Sequence, residues 1–304
     1  MNINGALARV DSFQRRHRLI AIAVAVLRKF SDDGAGSKAA LIAYYGFFSL
    51  FPLLLLFVTI LGFVLGGSSS AERAVLHSAL KQFPIVGSQL GVGHALRGSG
   101  IGLAVGFVGA LLSGLAVTTA AEAAFNTVYA VPRARRPNFL AVRWRGLKLL
   151  VVVGLLQVVS TAVSGAVTGG LGGTLLTAAG ILVSLLLNVV MFFAIFRLLT
   201  DSAVSTRELW PGIALASVAW EVLQSLGGIY VGHVLKGAGQ TYGTFALVIG
   251  LLVWLYLGAR VLVYAAEVNV VLARGLWPRS LLDDDAGGSQ GSRGSGEERR
   301  VASH

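Results

Sequence analysis

The chain is predicted to be an all-α polytopic membrane protein. Six apolar stretches of about 20 residues or more, at 39–66, 101–122, 147–168, 174–196, 211–231 and 244–271, carry the first part of that expectation. About 20 helical residues cross a hydrocarbon core of about 30 Å, and a helix satisfies its backbone groups within one segment. Composition agrees, since 55% of the 304 residues are hydrophobic, 13% are charged and mean hydropathy is +0.75. One lipid-embedded bundle absorbs nearly all of that apolar sequence, so no second folded domain is expected. The third observation is where lysine and arginine fall.

Positive charge concentrates on alternate connections. The segment before the first stretch carries Arg9, Arg15, Arg16, Arg18, Arg28, Lys29 and Lys38, and the link between the second and third carries Arg133, Arg135, Arg136, Arg143, Arg145 and Lys148 with no acidic residue. Arg197 and Arg207 lie between the fourth and fifth, and Arg274, Arg279, Arg293, Arg299 and Arg300 follow the sixth. The opposite connections hold Arg73, Lys81 and Arg97, then nothing, then Lys236. Basic residues stay on the cytoplasmic side, so six crossings with both termini in the cytoplasm are expected. The net charge of +11 then reports orientation and contact with anionic lipid. Nucleic acid is not an expected partner, because no basic domain interleaved with aromatic residues exists.

In chain order, residues 1–38 form a cytoplasmic N-terminal segment whose stretch 19–27 is continuously apolar between Arg18 and Arg28. A signal peptide fits poorly there, since the A-x-A matches lie inside the apolar core and no polar region precedes a cleavage site. A helix lying on the cytoplasmic interface, anchored by its basic ends, is expected instead. The six transmembrane helices occupy 39–273. Between the first two, Val75, Leu76, Ala79, Leu80 and Phe83 recur at helical spacing before Pro84, which predicts an external amphipathic helix. The cytoplasmic tail 274–304 lacks apolar residues to pack after Leu282 and is expected to be largely disordered, with Asp283 to Asp285 solvated.

Thirty-nine glycines suit membrane helices that approach closely. Gly102, Gly106 and Gly109, continued by Ser113, and Gly228 with Gly232, are read as packing inside one chain, with a homo-oligomer seam as the alternative. Ionisable residues inside the spans say more, because each costs about 2.5 to 3.5 kcal/mol at the centre of an isolated helix and is by default a functional-site hypothesis. They are Glu122, Glu221, Arg260 and Glu267. Glu221 and Arg260 fall near the middle of consecutive antiparallel spans, so a buried ion pair is expected. Glu122 and Glu267 fall nearer the cytoplasm, at a shared level enriched by Asn126 and Asn269. Gln157, Asn188 and Gln224 add one amide each to the third, fourth and fifth spans, where helix–helix hydrogen bonding is the simpler use.

Enzyme signatures are missing. The chain has no cysteine, its five histidines are scattered, and it contains no P-loop, dinucleotide fingerprint, HExxH or nucleophile elbow. No cofactor or metal is expected.

Three motifs resemble the YihY/BrkB family of bacterial inner-membrane proteins, also labelled ribonuclease-BN-like. They are Ala43-Tyr44-Tyr45 followed by Ser49-Leu50-Phe51-Pro52; Glu122 with Asn126 and Tyr129; and Tyr242-Gly243 leading through Trp254-Leu255-Tyr256 to Ala266-Glu267-Val268-Asn269. The resemblance covers 27–278 in matching order. Ala265 before Ala266 departs from the family's usual Gly-Ala, and Arg260 is outside its common pattern. The resemblance implies a multi-pass inner-membrane protein linked to envelope integrity, with a suggested role in moving a lipid or lipid-linked envelope precursor, and it implies that the ribonuclease label is a misassignment.

The expected site is a polar cavity with Glu122, Asn126, Glu267 and Asn269 at its cytoplasmic mouth and Tyr242, Glu221 and Arg260 further in. Its expected partners are membrane lipids, anionic or lipid-linked. The alternatives are a structural scaffold without transport, a proton- or ion-coupled small-solute exporter and, lowest, a membrane-bound ribonuclease.

Overall fold

The computed structural model describes residues 17–64, 100–168, 174–201, 203–238 and 243–277. Seven α-helices and one short 3-10 turn account for them: α1 (Arg18–Asp32), α2 (Ala35–Val64), α3 (Gly100–Val128), the turn Arg133–Arg135, α4 (Phe139–Thr168), α5 (Thr174–Leu199), α6 (Thr206–Ala238) and α7 (Gly243–Ala273). Over its described residues, each apolar stretch lies on one of the helices α2 to α7. Four of these carry a segment long and apolar enough to cross a membrane, at Ala35–Phe57, Gly100–Val128, Leu182–Leu199 and Val248–Ala273. Helices α4 and α6 have the length but no such window among their described residues. The proposed external helix, the acidic tail and Tyr242 lie outside the described residues.

The helices extend past the apolar stretches because polar ends still favour the helical backbone. Asn138 caps α4, its Oδ1 accepting the Ala141 N–H at 2.9 Å, so the helix starts eight residues before the apolar run and carries Arg143 and Arg145 inside it. At the far end of α3 the Val131 N–H reaches the Asn126 carbonyl at 2.8 Å and the Ala130 N–H reaches that of Thr127 at 2.9 Å. This six-to-one closure needs a left-handed residue, and Ala130 supplies it at φ 49°. Helix α7 closes in the same way, Leu276 N–H to Val271 carbonyl at 3.0 Å, with Gly275 at φ 60°. An L side chain in that region costs about 1 kcal/mol. Ala130→Gly is therefore expected to raise the unfolding midpoint in detergent, whereas Gly275→Ala should lower it.

Consecutive helices pack side by side from α2 to α7, and α7 returns to α2, which closes a ring of six. Helix α7 also touches α3 and α1, so it is the most central element. The close approach of α2 and α3 depends on glycine: a Cβ at Gly106 would lie 2.9 Å from the Leu56 backbone nitrogen, and one at Gly109 would lie 2.8 Å from Pro52 Cβ. These two glycines serve packing inside one chain. Pro52 sits within α2, where its ring removes one ladder hydrogen bond and turns a flat face to Gly109. The core is aromatic and aliphatic, with Phe125, Phe196, Leu209, Ile213, Val263 and Val270 almost fully buried. Outward, Phe51, Phe107, Leu112, Leu155, Leu186 and Leu226 are more than half exposed, the surface of a body solvated by hydrocarbon.

Helix α1 departs from a purely interfacial element. Ala21, Ala25, Val26, Lys29 and Phe30 fall on one stripe and are buried, and Ala25 and Val26 pack with Val271, Tyr264 and Val268 of α7. Gly34, at φ 59°, makes the reversal into α2. The opposite face, with Leu19 and Leu27, stays exposed. One face thus belongs to the bundle.

Candidate functional site

The polar residues gather where α1, α3, α6 and α7 meet. Glu267 is fully buried on α7, and Lys29 of α1 places its Nζ 2.8 Å from Glu267 Oε2. The same Nζ donates to the Val128 carbonyl at 2.8 Å and pairs with Asp33 one turn on. The approach to Glu267 has ion-pair distance but not hydrogen-bond alignment, so neither carboxylate oxygen has a hydrogen-bond partner among the described residues. Phe30 covers the neighbouring turn, stacking on Tyr264 with centroids 3.9 Å apart.

Asn269, also fully buried, ties three elements together. Its Oδ1 accepts the Gly212 N–H at 2.6 Å, and its Nδ2 donates to the Tyr129 hydroxyl at 3.2 Å. The donor lies one residue past Pro211, which has no N–H of its own to give the α6 ladder. Arg274 then donates to the Tyr129 carbonyl at 2.6 Å. Burial pushes the Tyr129 hydroxyl up to about 12 against the hydrogen bond from Asn269, so it stays neutral at physiological pH.

Glu122 turns elsewhere. It is buried on α3 and faces α4, where Arg145 Nη1 stands 3.5 Å from its Oε1. Lys29 touches both Val128 and Glu267, so the level of Glu267 on α3 is Val128, six residues or about 9 Å along the helix from Glu122. The level shared by the two carboxylates is thus occupied by Glu267 and the Val128 carbonyl. Asn126 is buried between them.

The expected Glu221–Arg260 pair is replaced by two separate arrangements. Glu221 Oε2 accepts from Asn188 Nδ2 of α5 at 2.8 Å. Arg260 donates to the Tyr264 hydroxyl at 2.9 Å and lies over the rings of Phe30, Tyr256 and Tyr264 at 5.4 to 5.6 Å. Helical phase is the cause. Arg260 meets the α6 face made by Ala219, Val222, Leu223 and Leu226, and at about 100° per residue Glu221 points to the far side of that helix. Of the amides, Asn188 joins this network, while Gln157 and Gln224 are exposed on the outer surface.

Sequence reasoning passed over Lys29 and Arg145 as orientation signals and Gly212 altogether. A signal for Lys29 was present in the spacing of Ala21, Ala25, Val26, Lys29 and Phe30, which sets the lysine on the apolar stripe. Nothing local marks Gly212. Among the described residues no group of three or more His, Asp or Glu side chains is placed to hold a metal ion.

Comparison with known proteins agrees with a membrane assignment. The chain is 24% identical over 263 residues to the ribonuclease-like protein YfkH of Bacillus subtilis, covering 78% of this chain and 89% of that one. It is 28% identical over 264 residues to a UPF0761 membrane protein of Stenotrophomonas maltophilia, covering 80% and 58%, and 27% identical over 260 residues to one of Azotobacter vinelandii, covering 79% and 60%. The chain thus spans about three fifths of the length of the UPF0761 relatives. No solved structure matches it. The virulence factor BrkB family matches residues 26–283, over the helices that build the buried polar cluster, and the chain belongs to that family.

Proposed function

We propose that this BrkB-family membrane protein crosses the bacterial inner membrane six times, with both termini in the cytoplasm, and supports the envelope by passing a lipid or lipid-linked precursor between leaflets. The reading rests on Glu267. A carboxylate with no exposure, set among apolar neighbours and balanced by a single lysine, is costly as a structural element and is by default a functional-site hypothesis. Its counter-ion comes from α1, a helix that docks on the bundle by one face only. Undocking α1 removes Lys29 and opens the carboxylate to the cytoplasmic interface, which turns a sealed polar layer into an entrance. The arginines of the 133–145 link would gather anionic head groups beside it.

The proposed role is non-enzymatic, in keeping with the UPF0761 membrane-protein relatives, while the ribonuclease-like name belongs to YfkH.

Glu267→Gln tests the proposal. The variant should fold, since Lys29 keeps Asp33 and the Val128 carbonyl as partners. In proteoliposomes it should slow the movement of fluorescent lipid between leaflets at least about tenfold relative to the wild type. Equal rates in a folded variant would remove the carboxylate from the mechanism. A scaffold without transport is favoured by the Asn269 network, whose amide is bonded on both sides, and absence of lipid movement in the wild type would support it.

A further inference from the structure

We infer that the groove between α6 and α7 binds an anionic phospholipid from the bilayer, its phosphate on Arg260 and an acyl chain along the aliphatic wall. The inference rests on the lipid-handling reading above and names the class of lipid. The groove encloses about 280 Å³ and is walled by Ala219, Val222, Leu223 and Leu226 of α6 and by Leu257 and Val261 of α7. Val222, Leu226 and Leu257 are 52%, 56% and 41% exposed, so the groove faces the hydrocarbon and not the bundle axis. Arg260, close to the middle of α7, lines this apolar wall with its aliphatic stem, while its guanidinium lies beside the groove over the rings of Phe30, Tyr256 and Tyr264.

Among the described residues no carboxylate lies within ion-pair distance of the guanidinium, and one of its five N–H donors is used, by the Tyr264 hydroxyl. The three rings of Phe30, Tyr256 and Tyr264 hold the planar cation in place without neutralising it. A fixed fork of unused donors matches the oxygens of a phosphate diester, which accept two parallel hydrogen bonds. An aliphatic wall beside that fork matches the attached chain. A zwitterionic lipid carries the same phosphate but brings an ammonium group to a site already positive, so the charge balance favours a head group of net negative charge. Phosphatidylglycerol is the simplest probe of that class.

The full chain would be purified from mixed vesicles of phosphatidylglycerol and phosphatidylcholine, and retained lipid would be counted by native mass spectrometry. The wild type should keep phosphatidylglycerol over phosphatidylcholine at least about tenfold, a preference that Arg260→Gln should abolish and Arg260→Lys retain in part. Leu223→Trp, which fills the groove and leaves the arginine in place, should also lose the lipid, so the test does not depend on one variant folding. Inorganic phosphate in excess should fail to displace it, because the groove holds the chain as well. Retention of both lipids in their bulk ratio, unchanged retention by a folded Arg260→Gln variant, or displacement by phosphate alone would each overturn the inference. Leaflet exchange measured on the same samples separates the two claims. Selective retention without exchange leaves the site standing and removes transport, whereas exchange with no preference at Arg260 does the reverse.

Discussion

Replacing Gly212 with alanine should destabilise the bundle by roughly 3 kcal/mol or more, the upper range for forcing an atom into a packed core. A Cβ there would stand 2.3 Å from the Ala265 carbonyl oxygen, 2.5 Å from Asn269 Nδ2 and 2.7 Å from Asn269 Cγ. The first obstacle is backbone in the middle of α7 and cannot rotate away. The second is an amide already bonded to Gly212 and Tyr129, so displacing it leaves a buried N–H and a buried hydroxyl to find other partners. Helices α6 and α7 would have to separate, and the Tyr129 contact that ties α3 to them would part as well. The measurement is the thermal midpoint of the purified protein in detergent. Gly46→Ala and Gly154→Ala are the matched controls, since nothing lies within 4 Å of a Cβ at either position. Both should be neutral or slightly stabilising, because alanine is the better helix former by about 1 kcal/mol. Equal behaviour of Gly212→Ala and the controls would mean that α6 and α7 do not meet as described.

Lys29→Met should be at least as damaging, by about 3 to 5 kcal/mol, the range for removing one partner of a buried ion pair. The methionine fills much of the same space, so the loss is electrostatic. Glu267 would be left fully buried without its cation, and the Val128 carbonyl would lose its donor. Adding Glu267→Gln to Lys29→Met should recover most of the loss, since the charge that made it costly is gone. The asymmetry is informative: Glu267→Gln alone should be mild because Asp33 still balances the lysine. Denaturation of the two single variants and the double variant in one detergent gives the coupling energy directly. Additive effects would sink the pairing.

The helices were legible from apolar runs alone, because lipid-facing residues on α2, α3, α5 and α7 make those runs continuous. Their ends were not, since α4, capped by Asn138, and α6, which starts at Thr206, run through charged residues that a hydropathy argument leaves outside. Glu122, Glu267 and Asn269 could be singled out by the expense of placing polar groups among apolar neighbours, and all three are buried. Their partners could not. Pairing Glu221 with Arg260 used depth and ignored azimuth, and depth fixes only one of the two coordinates on a helix surface. Lys29 was hidden for a different reason. A lysine between two apolar residues near a basic N-terminus is explained twice, by topology and by packing, and only the three-dimensional neighbours of α1 decide between the two.

The position of Lys29 also bears on how the bundle is made. Synthesis delivers α1 before Glu267, so until α7 is made the partners open to Lys29 are Asp33 and the Val128 carbonyl, and the helix has no seat on α7. When α7 follows it brings an acid whose neutraliser has already been made, on α1. Closure of the Lys29–Glu267 contact therefore has to wait for α7, and it couples the seating of α1 to the retention of α7. A membrane protease that samples unassembled spans would meet α7 with its charge uncovered in any chain whose α1 has failed to return.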